Sequence, residues 1–383
     1  MSSTPQRSGQ LIPDRLAVIH REMLQLVALA VIAVAAFFLT RAVAINNRES
    51  SLRTAAEWYR RGEQELESGR IDDAIAAFRR ANVKSRNNKV YSVALARSLT
   101  IKGDRDSARA ILLTLRESAP EDASINLQLA RIARDRQDVT EALRFYHDAL
   151  YARWPPDATE ARRRVRLELI QFLLTHGQTS DAQSELLAAS ADSPDDVTHH
   201  LELAQLFGAA GDHEGALSQY ERALRLAPDN EEALAGAGQA AFHLARYALA
   251  QRYLNRTRAD GTDVRSTREV VDLILSRDPL APRIGTAERK HRLTENVAYA
   301  TQRFAACVAQ SPAGSADDLS LQNEAGALAA RLKTPQPIDQ DIIEAGADSI
   351  DRIEHVVVER CGPATPIDRA LLLIGRQHGG ESR

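Results

Sequence analysis

The sequence is poor in several residue types, and each shortage excludes a class of protein. Its 383 residues include only two cysteines, too few for a disulfide-rich scaffold or a cysteine-based zinc site. Aromatic residues are scarce, at 5% of the chain, and no segment alternates β-branched with polar residues as strands do, so an all-α fold is favoured. The net charge is −3, and the absence of a basic excess argues against nucleic acid as a partner.

Motifs of the common enzyme classes are also lacking. The chain has no GxxxxGK[ST] phosphate loop, no GxGxxG turn after a strand, no HExxH and no GxSxG. His199, His200 and His213 form the only local histidine group, but His200 falls at a helix-packing position and His213 at a turn, which disfavours a metal site. The segment EAGADSIDRIE around Ser349 resembles the phosphopantetheine site of acyl carrier proteins, but its flanks do not match that domain, and Ser349 also suits a helix N-cap. We therefore predict no catalytic residue, no metal and no cofactor.

A 34-residue pattern organises the middle of the chain. From Val197 to Asn230, apolar and small residues recur at helical spacing, Gly211 marks a turn between two predicted helices, and Pro228 ends the second. The same phase returns in five more segments, which are Ala55–Asn88, Lys89–Asp122, Ala123–Pro156, Arg163–Asp196 and Glu231–Val264. A six-residue insertion, residues 157–162, interrupts the series. The unit resembles the tetratricopeptide repeat, a helix–turn–helix module of this length.

The resemblance implies an all-α solenoid of about six repeats over residues 55–264, because one hairpin alone cannot bury its apolar face. A helix at Arg265–Arg277, followed by a linker to residue 285, is expected to cap it. In the resembled family, the first helix of each repeat lines a concave face that binds a protein or peptide. The matching positions here are Tyr59, Arg97, Arg131, Arg134, Arg164, Gln171, Gln205 and Gln239.

These eight residues predict the chemistry of the partner. Arginine suits carboxylates, and glutamine suits the backbone amides of an extended peptide. Arg97, Arg131 and Arg134 are expected to converge into a stripe, and no acidic residue shares their positions in the second and third repeats. We therefore expect an acidic protein or peptide partner.

The amino terminus carries the one long apolar run. Met23–Thr40 has no charged residue and, at about 1.5 Å per residue, is roughly 27 Å long, close to the thickness of a membrane core of about 30 Å. We predict a transmembrane helix over residues 23–45 after a tail of residues 1–22. A cleaved signal remains the alternative, because Ala42-Val43-Ala44 has the small-x-small form of a cleavage site.

Orientation follows from the charges beside this run. Three arginines precede it and three follow it (Arg7, Arg15 and Arg21; Arg41, Arg48 and Arg53). Because short basic tails tend to remain in the cytoplasm, we expect the repeats outside it, which is the periplasm for a protein of the bacterial inner membrane.

Residues 286–383 are predicted to form a bundle of four helices, at 286–310, 317–333, 339–361 and 367–378. Cys307 and Cys361 each lie near the end of one of them. In an oxidising compartment they are candidates for a disulfide, while the alternative is two small buried residues.

The sequence therefore predicts a membrane-anchored scaffold or adaptor that is not an enzyme, with a role in envelope assembly, secretion or chaperone complexes. One alternative places enzyme activity in the carboxy-terminal bundle, with the repeats as substrate recruiter. The other is a cytoplasmic-facing assembly platform.

Overall fold

The protein is all-α, as expected. The computed structural model describes residues 12–85, 88–309, 316–362 and 365–379, and this part of the chain holds seventeen α-helices and no β-strand. Arg7 of the predicted basic tail lies outside the described residues.

The helices follow one another with short connections. The first six are α1 Ile12–Glu67, α2 Ile71–Lys84, α3 Lys89–Lys102, α4 Arg105–Ser118, α5 Ala123–Asp135 and α6 Val139–Leu150. The next seven are α7 Thr159–Thr175, α8 Thr179–Ala191, α9 Val197–Ala209, α10 His213–Leu226, α11 Glu231–His243, α12 Tyr247–Leu254 and α13 Thr262–Arg277. The last four are α14 Thr286–Ala309, α15 Ala316–Leu332, α16 Gln340–Cys361 and α17 Pro366–Gly379.

Each of the six repeats is a helical hairpin, from α1–α2 to α11–α12. The fifteenth residue of every repeat has a left-handed backbone, as at Gly103 with φ 95° and Gly211 with φ 72°. Glycine adopts this conformation without a steric penalty. In the third and sixth repeats, which have no glycine there, Gln137 and Ala245 take the same conformation, with φ 60° and 55°. The stacking of the hairpins therefore imposes the turn even on residues that disfavour it.

Asparagine or aspartate begins many of these helices. The Asn88 side chain accepts hydrogen bonds from the amides of Val90 and Tyr91 at the start of α3, and Asp122 does the same for α5. These caps satisfy amide groups that have no partner within the helix, and they explain why the helices start where they do.

The chain divides into two compact units, Met1–Val165 and Arg166–Arg383, with the division inside α7. The predicted boundary at residues 265–285 lies elsewhere and stays a prediction. In unit 1, small and aromatic side chains such as Ala74, Phe78 and Ala81 are fully buried between neighbouring hairpins. Ion pairs also join successive repeats at matching positions, as in Lys102–Asp72 at 2.6 Å and Arg136–Asp106 at 2.9 Å.

Unit 2 has one contiguous apolar core that extends from Leu167 to Ile374. Within it, α13 packs against α12, α14 and α17, so it joins the repeats to the helices that follow. Cys307 of α14 and Cys361 of α16 are bonded in a disulfide, with Cα atoms 5.8 Å apart.

The first helix carries the apolar run. Between Met23 and Ile45, the large apolar side chains for which exposure is described are each 50–74% exposed. The helix is long and apolar enough to cross a membrane, and none of its apolar stretch is buried against the rest of the chain. The same helix continues without a break into the first repeat, where Ala55 is its first fully buried residue in the repeat.

Candidate peptide groove of the first three repeats

Unit 1 contains a groove of about 530 Å³, a size typical of ligand sites. Its walls come from α1, α3 and α5, which are the first helices of repeats one to three, and from the loop between α6 and α7. The lining residues are Tyr59, Glu63, Lys89, Val90, Val93, Ala94, Arg97, Asp122, Ala123, Ser124, Gln128, Arg153, Trp154, Pro155 and Ala158.

Aromatic contacts hold the α1 side of the groove in place. The ring of Tyr59 stacks on Tyr91 with centroids 5.0 Å apart and tilts against the buried Phe78 at 5.7 Å. Burial raises the pKa of the Tyr59 hydroxyl, and the nearby Glu63 carboxylate raises it further. Tyr59 therefore presents a neutral hydroxyl at physiological pH.

The loop between α6 and α7 closes one end of the groove. The indole Nε1 of Trp154 donates to the carbonyl oxygens of Ala149 and Leu150, at 3.1 and 3.3 Å, and Arg162 Nε donates to Leu150 at 3.2 Å. These bonds satisfy the last carbonyl groups of α6 and fix the loop on them. Arg153, Trp154 and Pro155 thereby reach the groove, a result that repeat spacing alone does not predict.

The charges of the groove are unbalanced. Lys89 Nζ and Asp122 Oδ2 pair at 2.5 Å, so these two charges compensate one another. Arg97 and Arg153 are exposed, and among the described residues neither has a carboxylate within 4.0 Å. Glu63 also lines the groove and offsets part of this charge, so the groove combines an apolar floor of Val90, Val93 and Ala94 with two guanidinium groups and a small net positive charge.

Comparison with known proteins agrees with this architecture. Models of the tetratricopeptide repeat match residues 65–132, 167–231 and 209–270. The chain is a tetratricopeptide-repeat protein. No curated protein matches it.

Solved structures of other tetratricopeptide-repeat proteins are similar to this one in fold alone. YrrB, described as having an unusual peptide-binding site, is 18% identical over 47% of this chain and 90% of its own, with a TM-score of 0.38. PilF of Pseudomonas aeruginosa is 16% identical over 55% of this chain and 91% of its own, with a TM-score of 0.41. PilW, a type IV pilus biogenesis factor, is 16% identical over 55% of this chain and 97% of its own, with a TM-score of 0.40.

The predicted arginine stripe is only partly reproduced in this tetratricopeptide-repeat protein. Arg97 lines the groove, but Arg131 and Arg134 are not among its lining residues. Arg134 binds Asp135 Oδ1 at 3.0 Å and lies 3.5 Å from the Tyr146 hydroxyl. Arg131 is half-buried and is also engaged within the chain. Arg134 is therefore paired within its own helix, and the convergence of Arg97, Arg131 and Arg134 on a concave face stays a prediction.

The other predicted positions differ in their surroundings. Arg164 forms a surface ion pair with Glu160 on its own helix, at 3.6 Å. In unit 2, Gln171 is exposed, Gln205 donates to Glu232 at 2.5 Å, and Gln239 is half-buried on α11. Tyr59 and Arg97 are thus the predicted residues that the structure brings together at the groove.

The histidine and serine candidates have structural surroundings. His200 is buried, and its two ring nitrogens lie 2.9 and 2.8 Å from Gln219 and Asp195. Ser349 is buried in the middle of α16, whose N-cap is Asp339, so the N-cap interpretation of Ser349 is wrong. In the described part of the chain, no group of three or more histidine, cysteine or acidic residues is placed to hold a metal.

Proposed function

We propose that this protein is an adaptor anchored in the bacterial inner membrane by α1, which holds a segment of a partner protein in the groove of repeats one to three. Its role is in envelope assembly, secretion or chaperone complexes, and we assign it no catalytic activity. The observation that carries the proposal is the groove itself, with its apolar floor and the guanidinium groups of Arg97 and Arg153, which have no carboxylate within 4.0 Å among the described residues.

The groove suits an extended, acidic segment. A carboxylate between two guanidinium groups forms charge-assisted hydrogen bonds, which are stronger than those between neutral groups. Val90 is half exposed, although apolar residues usually prefer burial, and a bound segment would cover it. The two requirements together favour a peptide that alternates acidic and apolar side chains.

The exposed apolar part of α1 supports the membrane anchor. The large apolar side chains between Met23 and Ile45 pack against nothing in the described chain, and a hydrocarbon layer would remove them from water. Periplasmic placement rests on the short basic tail and on the pairing of Cys307 with Cys361, since disulfides persist in oxidising compartments.

Site-specific photo-cross-linking in intact cells tests this function. A photoreactive residue at Val93 lies in the groove, and the same residue at Val83, which is exposed on α2 outside the groove, is the control. We expect partner adducts from position 93 that position 83 does not give, and fewer of them when Arg97 and Arg153 are both replaced by Gln. Identical adducts from both positions would overturn the groove as the binding site.

A further inference from the structure

Unit 2 contains a second cleft, lined by other residues than the groove of unit 1, at the turn between the two helices of the sixth repeat. It has a volume of about 320 Å³ and lies between the α11–α12 turn and the last turns of α17. The turn contributes Phe242, His243, Ala245 and Tyr247, and α17 contributes Leu373, Arg376 and Gln377. Three of the seven lining residues thus come from a helix outside the repeats.

The position of α17 is fixed by bonds at its first turn. Asp368 is fully buried and accepts hydrogen bonds from the Tyr299 hydroxyl at 2.6 Å, the Thr365 amide at 2.8 Å and Arg303 at 3.1 Å. Arg369 of the same turn donates to Ser266 of α13 at 3.2 Å. Because rigid elements hold both walls, the cleft exists before any ligand binds.

One wall of the cleft is aromatic and apolar. The rings of Phe242 and Tyr247 lie 6.0 Å apart, and the half-buried Leu373 completes the wall. His243 stacks on His213 with ring centroids 4.3 Å apart, and burial, with the charge of His213, lowers its pKa. His243 is therefore neutral at neutral pH, and this wall suits an apolar side chain.

Several polar side chains of the cleft lack a hydrogen-bond or ion-pair partner in the part of the chain that the structure describes. Arg376 is the one permanently charged residue among those that line it, and no carboxylate of the described chain lies within 4.0 Å of its guanidinium. In that same part of the chain, neither Gln377 nor the Tyr247 hydroxyl forms a side-chain hydrogen bond. A few convergent polar groups against an apolar wall are typical of a ligand site, and a lone cation selects an anion.

We propose that this cleft binds an extended segment of a partner protein in which an aromatic or aliphatic side chain neighbours an aspartate or glutamate. The apolar side chain packs on Phe242 and Leu373, and the carboxylate pairs with Arg376. Gln239 lies one turn before Phe242 on α11, is half-buried and has no partner in the described chain, so it offers its amide to the backbone of the same segment. This continuation along α11 favours a peptide over a small free acid.

Peptide binding by the full chain in nanodiscs tests the proposal. The probes are N-acetylated, C-amidated octapeptides in which a central Phe has Asp as its neighbour, and the same peptides with Asn in place of Asp. Binding is measured by fluorescence anisotropy for the unaltered chain and for Arg376→Gln. Arg331→Gln is the matched control, since Arg331 is exposed on α15 and its side chain has no partner in the described chain. Helical circular dichroism checks that each variant folds.

We expect the Asp peptides to bind about tenfold more tightly than the Asn peptides, which is the effect of one charge-assisted pair. In a Val93→Glu background, in which the unit 1 groove is blocked, Arg376→Gln should remove that preference, Phe242→Ala should weaken both peptides, and Arg331→Gln should change neither. Equal binding of the two peptides, no binding at all, or a preference that survives Arg376→Gln would overturn the proposal. Val93→Glu separates the two sites, because an acid preference lost in that variant but retained in Arg376→Gln belongs to the unit 1 groove.

Discussion

At the scale of single residues, Glu354 of α16 is fully buried, and neither of its carboxylate oxygens has a hydrogen-bond partner in the described chain. It faces Asp368 of α17 and Arg303 of α14, but Arg303 and the Thr365 amide donate their hydrogen bonds to Asp368 and not to Glu354. Burial and, second to it, the Asp368 charge raise the pKa of Glu354 to about 7, with Arg303 opposing the shift. Despite its burial, Asp368 keeps a lowered pKa because Tyr299, Thr365 and Arg303 hydrogen-bond its charged form.

This arrangement predicts a pH-dependent stability. Because the pKa of Glu354 lies above its ordinary value of 4.5, the folded chain holds the proton more tightly than the unfolded chain. The contribution to the free energy of unfolding is fully present below pH about 4.5 and is lost as the pH rises through about 7, an effect of about 3 kcal/mol. In denaturant unfolding at pH 4 to 8, the free energy of unfolding of Glu354→Gln should rise relative to that of the unaltered chain as the pH increases.

The control for that series is Glu359→Gln, since Glu359 is exposed on the same helix. It should follow the pH profile of the unaltered chain. If Glu354→Gln gives the same slope as Glu359→Gln between pH 5 and 7, Glu354 does not titrate in this range.

Two helical glycines predict opposite responses to alanine. A Cβ at Gly62 would lie 2.5 Å from a ring atom of Phe78, which is fully buried and has no space to move. Gly62→Ala should therefore lower the free energy of unfolding by about 1 to 3 kcal/mol. A Cβ at Gly326, exposed on α15, meets nothing within 4 Å, so Gly326→Ala should add about 0.5 to 1 kcal/mol. Thermal unfolding of both variants checks the signs, and a stabilised Gly62→Ala would contradict this packing.

At the scale of helices and loops, periodicity predicted most of what the structure contains, because helix starts and stops are set by local chemistry. The helix predicted at 286–310 is observed at Thr286–Ala309, and the one predicted at 339–361 at Gln340–Cys361. The α6–α7 loop could not be placed from sequence, because the hydrogen bonds of Trp154 depend on where the end of α6 lies. Pro155 and Pro156, just before the insertion at residues 157–162, indicated a loop here, but they did not indicate that the loop forms a wall of the groove.

Tertiary contacts also explain what was missed in α17. The sequence predicted a short last helix at 367–378, but the packing of α17 on α13 depends on the buried Asp368, whose partners come from α14 and from the turn before α17. Local periodicity carries no information on such pairings, so the cleft at Arg376 could not be predicted from the sequence.

The disulfide joins α14 to α16, and its effect should be confined to that part of unit 2. A bond between residues 54 apart contributes about 4 kcal/mol in the chain-entropy model. In Cys361→Ser, we expect faster hydrogen exchange in α14 to α16 and unchanged exchange in α2 to α6. Under reducing conditions, the unaltered chain and the variant should become alike. Non-reducing peptide mapping checks the pairing directly, and two freely alkylated thiols in oxidised protein would contradict it.

At the scale of the whole molecule, α1 carries both the proposed span and the first helix of the repeats. Residues 46–54 contain neither glycine nor proline, so the helix has no breaking point between them. We predict that the repeats lie outside the cytoplasm. Reporter fusions after Arg383 should be active only when the reporter works in the periplasm, and a fusion active only in the cytoplasm would remove the argument for an oxidised cysteine pair as well.

The two units divide the binding of a partner into separately testable parts. Unit 1 has its groove and unit 2 its cleft, and each offers arginine without a carboxylate partner in the described chain. A variant at one site should therefore leave peptide binding at the other site unchanged.

The last prediction concerns the groove arginines and the salt dependence of partner binding. Arg97 and Arg153 have no carboxylate partner in the described chain, so a bound acidic segment gains two new ion pairs there. Exposed charges are screened over about 8 Å at physiological ionic strength, so their contribution should fall as salt rises. In cross-linking from Val93, replacing both arginines by Gln should lower adduct yield most at low salt and flatten the salt dependence.

Arg134→Gln is the control, because Arg134 already pairs with Asp135 and does not line the groove. It should leave both the yield and its salt dependence near those of the unaltered chain. If Arg134→Gln reduces the adducts as much as the double variant, the partner lies across α5 as the sequence-based stripe predicted. The pairing of Arg134 with Asp135 would then be one that the partner displaces.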